Sequence, residues 1–247
     1  MVQGKSTARR AKVLGYLTIV MGAHELANTV QLFLQNKFRL PSRSRLYRAY
    51  VKRGLDLIIC VLLLPIVLPI FAIVYVILSV QSGPVFFGHR RIGRGGKPFD
   101  CWKFRTMAVD ADARLQRLLA SDPSARAEWE TTRKLRDDPR ITWIGSFLRQ
   151  SSLDEIPQIW NVLKGEMSLV GPRPVVEDEL ALYGTHRRIY LAMRPGLTGL
   201  WQVSGRNDVG YATRVRLDAD YFAGIGLLRD LQIIFKTPSA MLRRTGC

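Results

Sequence analysis

Asp154 and Glu155 are adjacent carboxylates at the head of a stretch in which Ile156, Ile159, Trp160 and Leu163 recur at the spacing of one helix face. The pair has one account that involves no chemistry. Ser152 and Glu155 fit a capping box, and acidic residues are favoured in a first helical turn. A second account makes the pair functional, and the residues around it indicate which chemistry it would serve. Arg173 is held between Pro172 and Pro174, a rigid turn that suits bidentate phosphate binding by a guanidinium. From Arg194 to Arg206 the chain is rich in glycine, and backbone donors beside guanidinium groups could hold a diphosphate. A plain loop between strands is the alternative there. Lys103 and Arg105 stand on a hydrophobic background, as candidates for phosphate contacts or as solvated surface charge. Cys60, Cys101 and Cys247 show no paired spacing, so neither a zinc site nor a disulfide framework is indicated. His24, His89 and His186 lack comparable support and read as structural or surface residues.

The elements that would position these groups follow from local pattern. Residues 84–107 alternate short apolar runs with glycine and basic residues, which predicts extended segments joined by a turn at Gly93–Gly96. These glycines match neither a Walker nor a dinucleotide fingerprint. Residues 108–136 predict two charge-rich helices, one with Leu115, Leu118 and Leu119 on a stripe and one carrying Trp129. They could lie at a membrane interface or pack as ordinary surface helices. Ile144, Phe147 and Leu148 suggest a short amphipathic helix before Ser152. The helix after Ser152 tolerates Pro157 in its first turn and stops near Gly165. Ser168–Val170 is strand-like, and Leu227, Leu228, Leu231, Ile234 and Phe235 form a last helical pattern.

One run is different in kind. From Leu57 to Leu78 all 22 residues are apolar or proline, more than the roughly 18 that mark a membrane-helix candidate. A soluble core helix is the alternative, although such helices normally keep a polar face. Arg39, Arg43, Arg45, Arg48, Lys52 and Arg53 precede the run, and Arg90, Arg91, Arg94 and Lys97 follow it. Basic residues mark the cytoplasmic side, and here both flanks carry them. With Pro65 and Pro69 inside, the pattern predicts a broken helix that enters the membrane and returns to the same face. Lys5, Arg9, Arg10 and Lys12 before Val13–Ala23 imitate a signal peptide, but Gly15, Tyr16 and Thr18 weaken its apolar centre. Residues 1–46 read as an accessory segment, 47–83 as the basic flank and re-entrant membrane helix, and 84–247 as a cytosolic domain that carries the candidate site residues. The fold class is α+β: a mostly helical monotopic membrane protein with a small catalytic domain.

The whole chain of 247 residues carries 37 Lys and Arg against 20 Asp and Glu, a net charge of +17. That balance calls for an anionic partner: nucleic acid, an anionic membrane or a phosphorylated substrate. At 47% hydrophobic, it is no disordered polycation. No RNA-recognition or helix-turn-helix signal is present, so nucleic acid is not an expected partner.

Several ordered segments resemble a known family. They are Lys52-Arg53-Gly54-Leu55-Asp56, Gly83–Phe87, Lys103-Phe104-Arg105-Thr106-Met107, Ser152–Gly165, Met167–Pro174 and Pro195–Arg206. Together they resemble the bacterial sugar transferases, the monotopic phosphoglycosyl transferases, in the small exopolysaccharide-initiating form. The resemblance implies transfer of a hexose-1-phosphate from a UDP-sugar to undecaprenyl phosphate, with UMP released and magnesium required. It implies that Asp154 is the nucleophile, forming an aspartyl-phosphosugar. Glu155 would help hold the metal or position the lipid phosphate, so Asp154 and Glu155 are both expected metal ligands. Lys103, Arg105, Arg173 and Arg206 become candidates for the substrate phosphates and nucleotide. The family's helix break matches Pro69, where Leu68 replaces the usual serine. The implied location is the bacterial inner membrane, against anionic lipids, with the catalytic domain facing the cytoplasm. A catalytically inactive membrane scaffold of the same fold is the alternative function.

Overall fold

The computed structural model describes residues 46–132, 135–205 and 210–242. The accessory segment through Arg45, and Arg206, lie outside the described residues.

A π-helical turn, Tyr47–Val51, leads into α1, Lys52–Ser79. The 28 residues of α1 extend about 42 Å at 1.5 Å per residue, against about 30 Å of hydrocarbon core. Among the described residues it is the one helix long and apolar enough to cross a membrane. Its middle is uncovered, with Ile58, Leu62 and Ile66 exposing 60%, 69% and 64% of their surface. A soluble core helix would bury those side chains, so that alternative fails. α1 is helical throughout, its backbone continuing through Pro65 and Pro69. Each proline forfeits one intrahelical bond, yet its fixed φ is compatible with a helix.

After α1 the chain forms an antiparallel hairpin of β1, Phe86–Ile92, and β2, Pro98–Phe104. Gly95 and Gly96 supply the positive φ values, 71° and 80°, at its turn. Helices α2 (Ala111–Ser121), α3 (Pro123–Thr132) and α4 (Trp143–Ser151) follow. A 3₁₀ turn, Leu153–Glu155, then precedes α5 (Gln158–Lys164) and β3 (Ser168–Val170). Two short helices, α6 (Glu177–Ala181) and α7 (Arg187–Leu191), lead to β4 (Gly196–Thr198), which pairs parallel with β3. Gly171 and Gly196 meet here backbone to backbone, where any Cβ would collide. Helices α8 (Leu200–Val203), α9 (Tyr211–Ala223) and α10 (Leu227–Leu242) complete the described chain.

The rest of the described chain grips α1 at both ends. Near its start, Arg53 donates to the carbonyls of Val162 and Leu163 at 2.5 and 2.8 Å, satisfying the last turn of α5. One turn on, buried Asp56 accepts from Ser168 Oγ at 3.1 Å and from the Leu169 N–H at 3.0 Å. Near its end, Val74 and Leu78 pack with Phe104 of β2 and with Ile144 and Leu148 of α4. A second core joins Ile92, Val175, Leu180, Tyr183, Tyr190 and Val215.

Candidate active site

The hairpin register decides which side chains share a face. His89 opposes Cys101, Phe87 opposes Lys103 and Arg91 opposes Phe99. Successive strand residues alternate faces, so His89, Arg91, Cys101 and Lys103 point one way while Phe86 and Phe104 point the other. The aromatic face stacks on Phe71 and Tyr75 of α1, with ring centroids 5.1 to 5.9 Å apart. The polar face lines a cleft open to solvent. Glu155 and Gln158, then Arg173 and Pro174, then Gly196, Leu197 and Gln202 close the remaining sides.

At the floor, Lys103 Nζ donates to Glu155 Oε1 at 2.6 Å and to Asp154 Oδ2 at 3.3 Å. Asp154 retains only 6% of its surface and sits behind the lysine, not among the residues lining the cleft. Burial pushes its carboxyl above the ordinary aspartate value, and Lys103 offsets part of that rise. Burial opposes charge on Lys103, but Glu155 and Asp154 outweigh it and hold the ammonium more firmly than usual. The capping box does not form. Ser152 takes a left-handed φ of 56° as the C-cap of α4, so its hydroxyl caps nothing. The reversal there puts Asp154 and Glu155 in the 3₁₀ turn ahead of α5, with Glu155 turned to Lys103.

Burial first, and then the nearby Arg91 and Lys103 charges, push the His89 imidazole below its ordinary value. Arg91 Nη2 lies 3.1 Å from His89 Nδ1. A guanidinium only donates, so Nδ1 accepts and the ring proton sits on Nε2. Arg91 is itself fixed by Glu179 at 3.3 Å.

Of the sequence candidates, Lys103, Glu155 and Arg173 line the cleft and Asp154 lies just beneath it. Arg105 is turned elsewhere, donating to the Ser82 carbonyl at 2.6 Å. Arg206 is outside the described residues, and Pro69 lies within α1. His89, Arg91, Gln158 and Gln202 went unrecognised. Two signals point to the first three: the two-residue period of the hairpin for His89 and Arg91, and the three-residue step from Glu155 for Gln158; neither reaches Gln202.

Residues 47–244 match the family described as bacterial sugar transferase. The chain belongs to that family. This sugar transferase is 54% identical over 195 residues to an exopolysaccharide production protein, ExoY, of Sinorhizobium fredii, covering 78% of this chain and 86% of that one. It is 50% identical over 197 residues to an undecaprenyl-phosphate galactose phosphotransferase of Salmonella typhimurium, covering 80% of this chain. It is 49% identical, with the same share of this chain covered, to a UDP-galactose-lipid carrier transferase of Erwinia amylovora. The matched region is only 41% of each of those two longer proteins. The latter two relatives are named as transferases, and the sugar transferase is an enzyme of the exopolysaccharide-initiating type.

Its donor set suits magnesium. Asp154 and Glu155 offer hard oxygens on one side of Lys103, and this ion is commonly held by one or two carboxylates plus substrate phosphates. No group of three or more His, Cys, Asp or Glu side chains gathers among the described residues, so substrate oxygens would have to complete the shell.

Proposed function

We propose that the protein transfers a hexose-1-phosphate from a UDP-sugar to undecaprenyl phosphate, the first step of exopolysaccharide synthesis. The observation that carries this reading is the Asp154–Lys103–Glu155 cluster at the floor of a cation-lined cleft. An Asp154 oxygen attacks the phosphorus that bears the sugar, and the bond from that phosphorus to the UMP oxygen breaks. UMP leaves with the electron pair. An oxygen of undecaprenyl phosphate then attacks the same phosphorus, the aspartyl–phosphorus bond breaks, and the carboxylate returns. A covalent nucleophile divides the transfer into two easier displacements.

Lys103 is drawn off Asp154 towards the incoming diphosphate, which uncovers the buried carboxylate. Arg173, exposed in the cleft wall without a protein partner among the described residues, takes up charge on the phosphoryl oxygens. Magnesium, held by Asp154 and Glu155, would neutralise the repulsion between carboxylate and diphosphate.

The enzyme works at the cytoplasmic face of the inner membrane, with α1 re-entrant. Support comes from the catalytic domain touching α1 near both ends, at Arg53 and at Leu78, while the middle stays apolar and uncovered. A helix that crossed the bilayer would present its two ends to opposite compartments.

Incubation with undecaprenyl phosphate, magnesium and a panel of UDP-glucose, UDP-galactose and their N-acetylated counterparts tests the reaction. UMP should appear from at least one donor and fall by roughly 10³-fold or more in Asp154→Asn. Wild-type protein releasing no UMP from any donor would overturn the reading.

A further inference from the structure

Gln158 is 97% covered, with 3% of its surface remaining, and it lines the cleft. Among the described residues no group hydrogen-bonds its carboxamide. Across the same cleft, Gln202 Oε1 is buried without a partner, and Gln202 Nε2 makes only a 3.4 Å contact with the Leu197 carbonyl. A buried amide oxygen left unpaired costs about 1–3 kcal/mol, so Gln202 Oε1, with the unpartnered Gln158 carboxamide lining the same cleft, calls for a ligand that supplies the missing partners.

The chemistry of that ligand follows from what each side chain can recognise. Lys103, Arg91 and Arg173 in the same cleft are cations suited to phosphate oxygens. A carboxamide is neutral, donates and accepts, and suits hydroxyl groups. Gln158 follows Glu155 by three residues through the 3₁₀ turn into α5, which keeps it beside the carboxylates rather than at a remote end. In a nucleotide sugar, the hydroxyl-rich group next to the attacked phosphorus is the hexose; the base is separated from it by another phosphate and a ribose.

We infer that Gln158, with Gln202, binds the hexose hydroxyls of the donor and sets which sugar the enzyme accepts. The inference rests on the proposed reaction. A correctly placed hydroxyl supplies the partners that the protein itself does not give Gln202 Oε1 and the Gln158 carboxamide. A sugar lacking that hydroxyl leaves them unpaired, and sites built on buried hydrogen bonds discriminate strongly against such analogues.

The test uses full-length protein in detergent or lipid particles, with UDP-hexoses and their singly deoxygenated forms as donors and UMP as a competing ligand. Gln158→Met preserves volume and removes both polar atoms. It should lower kcat/KM for the preferred UDP-hexose by about 10–100-fold and leave inhibition by UMP within about twofold. It should also abolish the wild type's discrimination against one deoxy donor. Gln202→Met should reproduce the pattern independently. Heat-unfolding midpoints raised by UMP identify folded variants, so a misfolded Gln158→Met leaves the decision to Gln202→Met. Wild-type kinetics in both variants would overturn the inference, as would an equal loss of UMP affinity, which would assign the carboxamides to the nucleotide. A wild-type protein that releases no UMP would instead overturn the reaction itself.

Discussion

Lys103 is the residue on which the site's charge balance turns, since its ammonium is shared between Asp154 at 3.3 Å and Glu155 at 2.6 Å. Lys103→Met would leave two adjacent carboxylates without that cation and drive the Asp154 carboxyl further up. UMP release should fall by roughly 10²–10³-fold, with the acidic limb of the pH–rate profile moved to higher pH. An unmoved limb with full turnover would show that Lys103 is ornamental. At this scale the sequence was partly legible. Adjacent carboxylates and a proline-flanked arginine could be read directly from residue type. The capping role of Ser152 could not be judged, because its left-handed backbone depends on how α4 packs. Gln158 and His89 were hidden for another reason: their significance lies in a missing partner or a shared face, which only tertiary contacts create.

Between elements, the docking of α1 rests on buried polar bonds as well as apolar contact. Asp56→Ala would orphan the Leu169 N–H and the Ser168 hydroxyl, at a cost of about 1–3 kcal/mol. A lowered thermal midpoint in detergent, with the apolar stretch unchanged, is the expected result; an unchanged midpoint would contradict this docking. In the second core, Asp218 of α9 accepts from the Tyr183 hydroxyl at 2.8 Å, while its other oxygen has no partner. Burial pushes its carboxyl up to about 7, against the smaller opposing effect of the Tyr183 bond. The folded protein therefore holds a proton that the unfolded chain releases, and stability falls as pH rises from about 4 to about 7. The effect is on the order of 4 kcal/mol at most across that window. Asp218→Asn should make the decline in thermal midpoint shallower, and an unchanged slope would contradict the assignment. Helices and strands were legible wherever a period was clean, as in the hairpin of β1 and β2 and in α4. The continuity of α1 was not, because two prolines signal lost bonds without saying whether the backbone turns.

Across the whole molecule, the excess positive charge is spent differently from a simple membrane anchor. Arg48 donates to the Ala192 carbonyl and lies over the Phe222 ring, Lys52 pairs with buried Asp230, and Arg53 closes the end of α5. These three cations of the basic flank lock α1 and the turn before it to α5, α7, α9 and α10, a use that charge counting could not distinguish from lipid binding. The same grip at the far end, through Val74 and Leu78, leads to a topological prediction. Single cysteines at positions 48 and 95, in a background without native cysteine, should both react from the cytoplasmic side of membrane vesicles; labelling from opposite sides would refute the re-entrant arrangement. The central claim concerns the bond formed at Asp154. Wild-type protein incubated with UDP-hexose and magnesium, without lipid acceptor, should gain one hexose-phosphate in its intact mass. Peptide mapping should place it on Asp154, and undecaprenyl phosphate should remove it. An adduct on another residue, or UMP formed only with lipid and no adduct at all, would contradict the account.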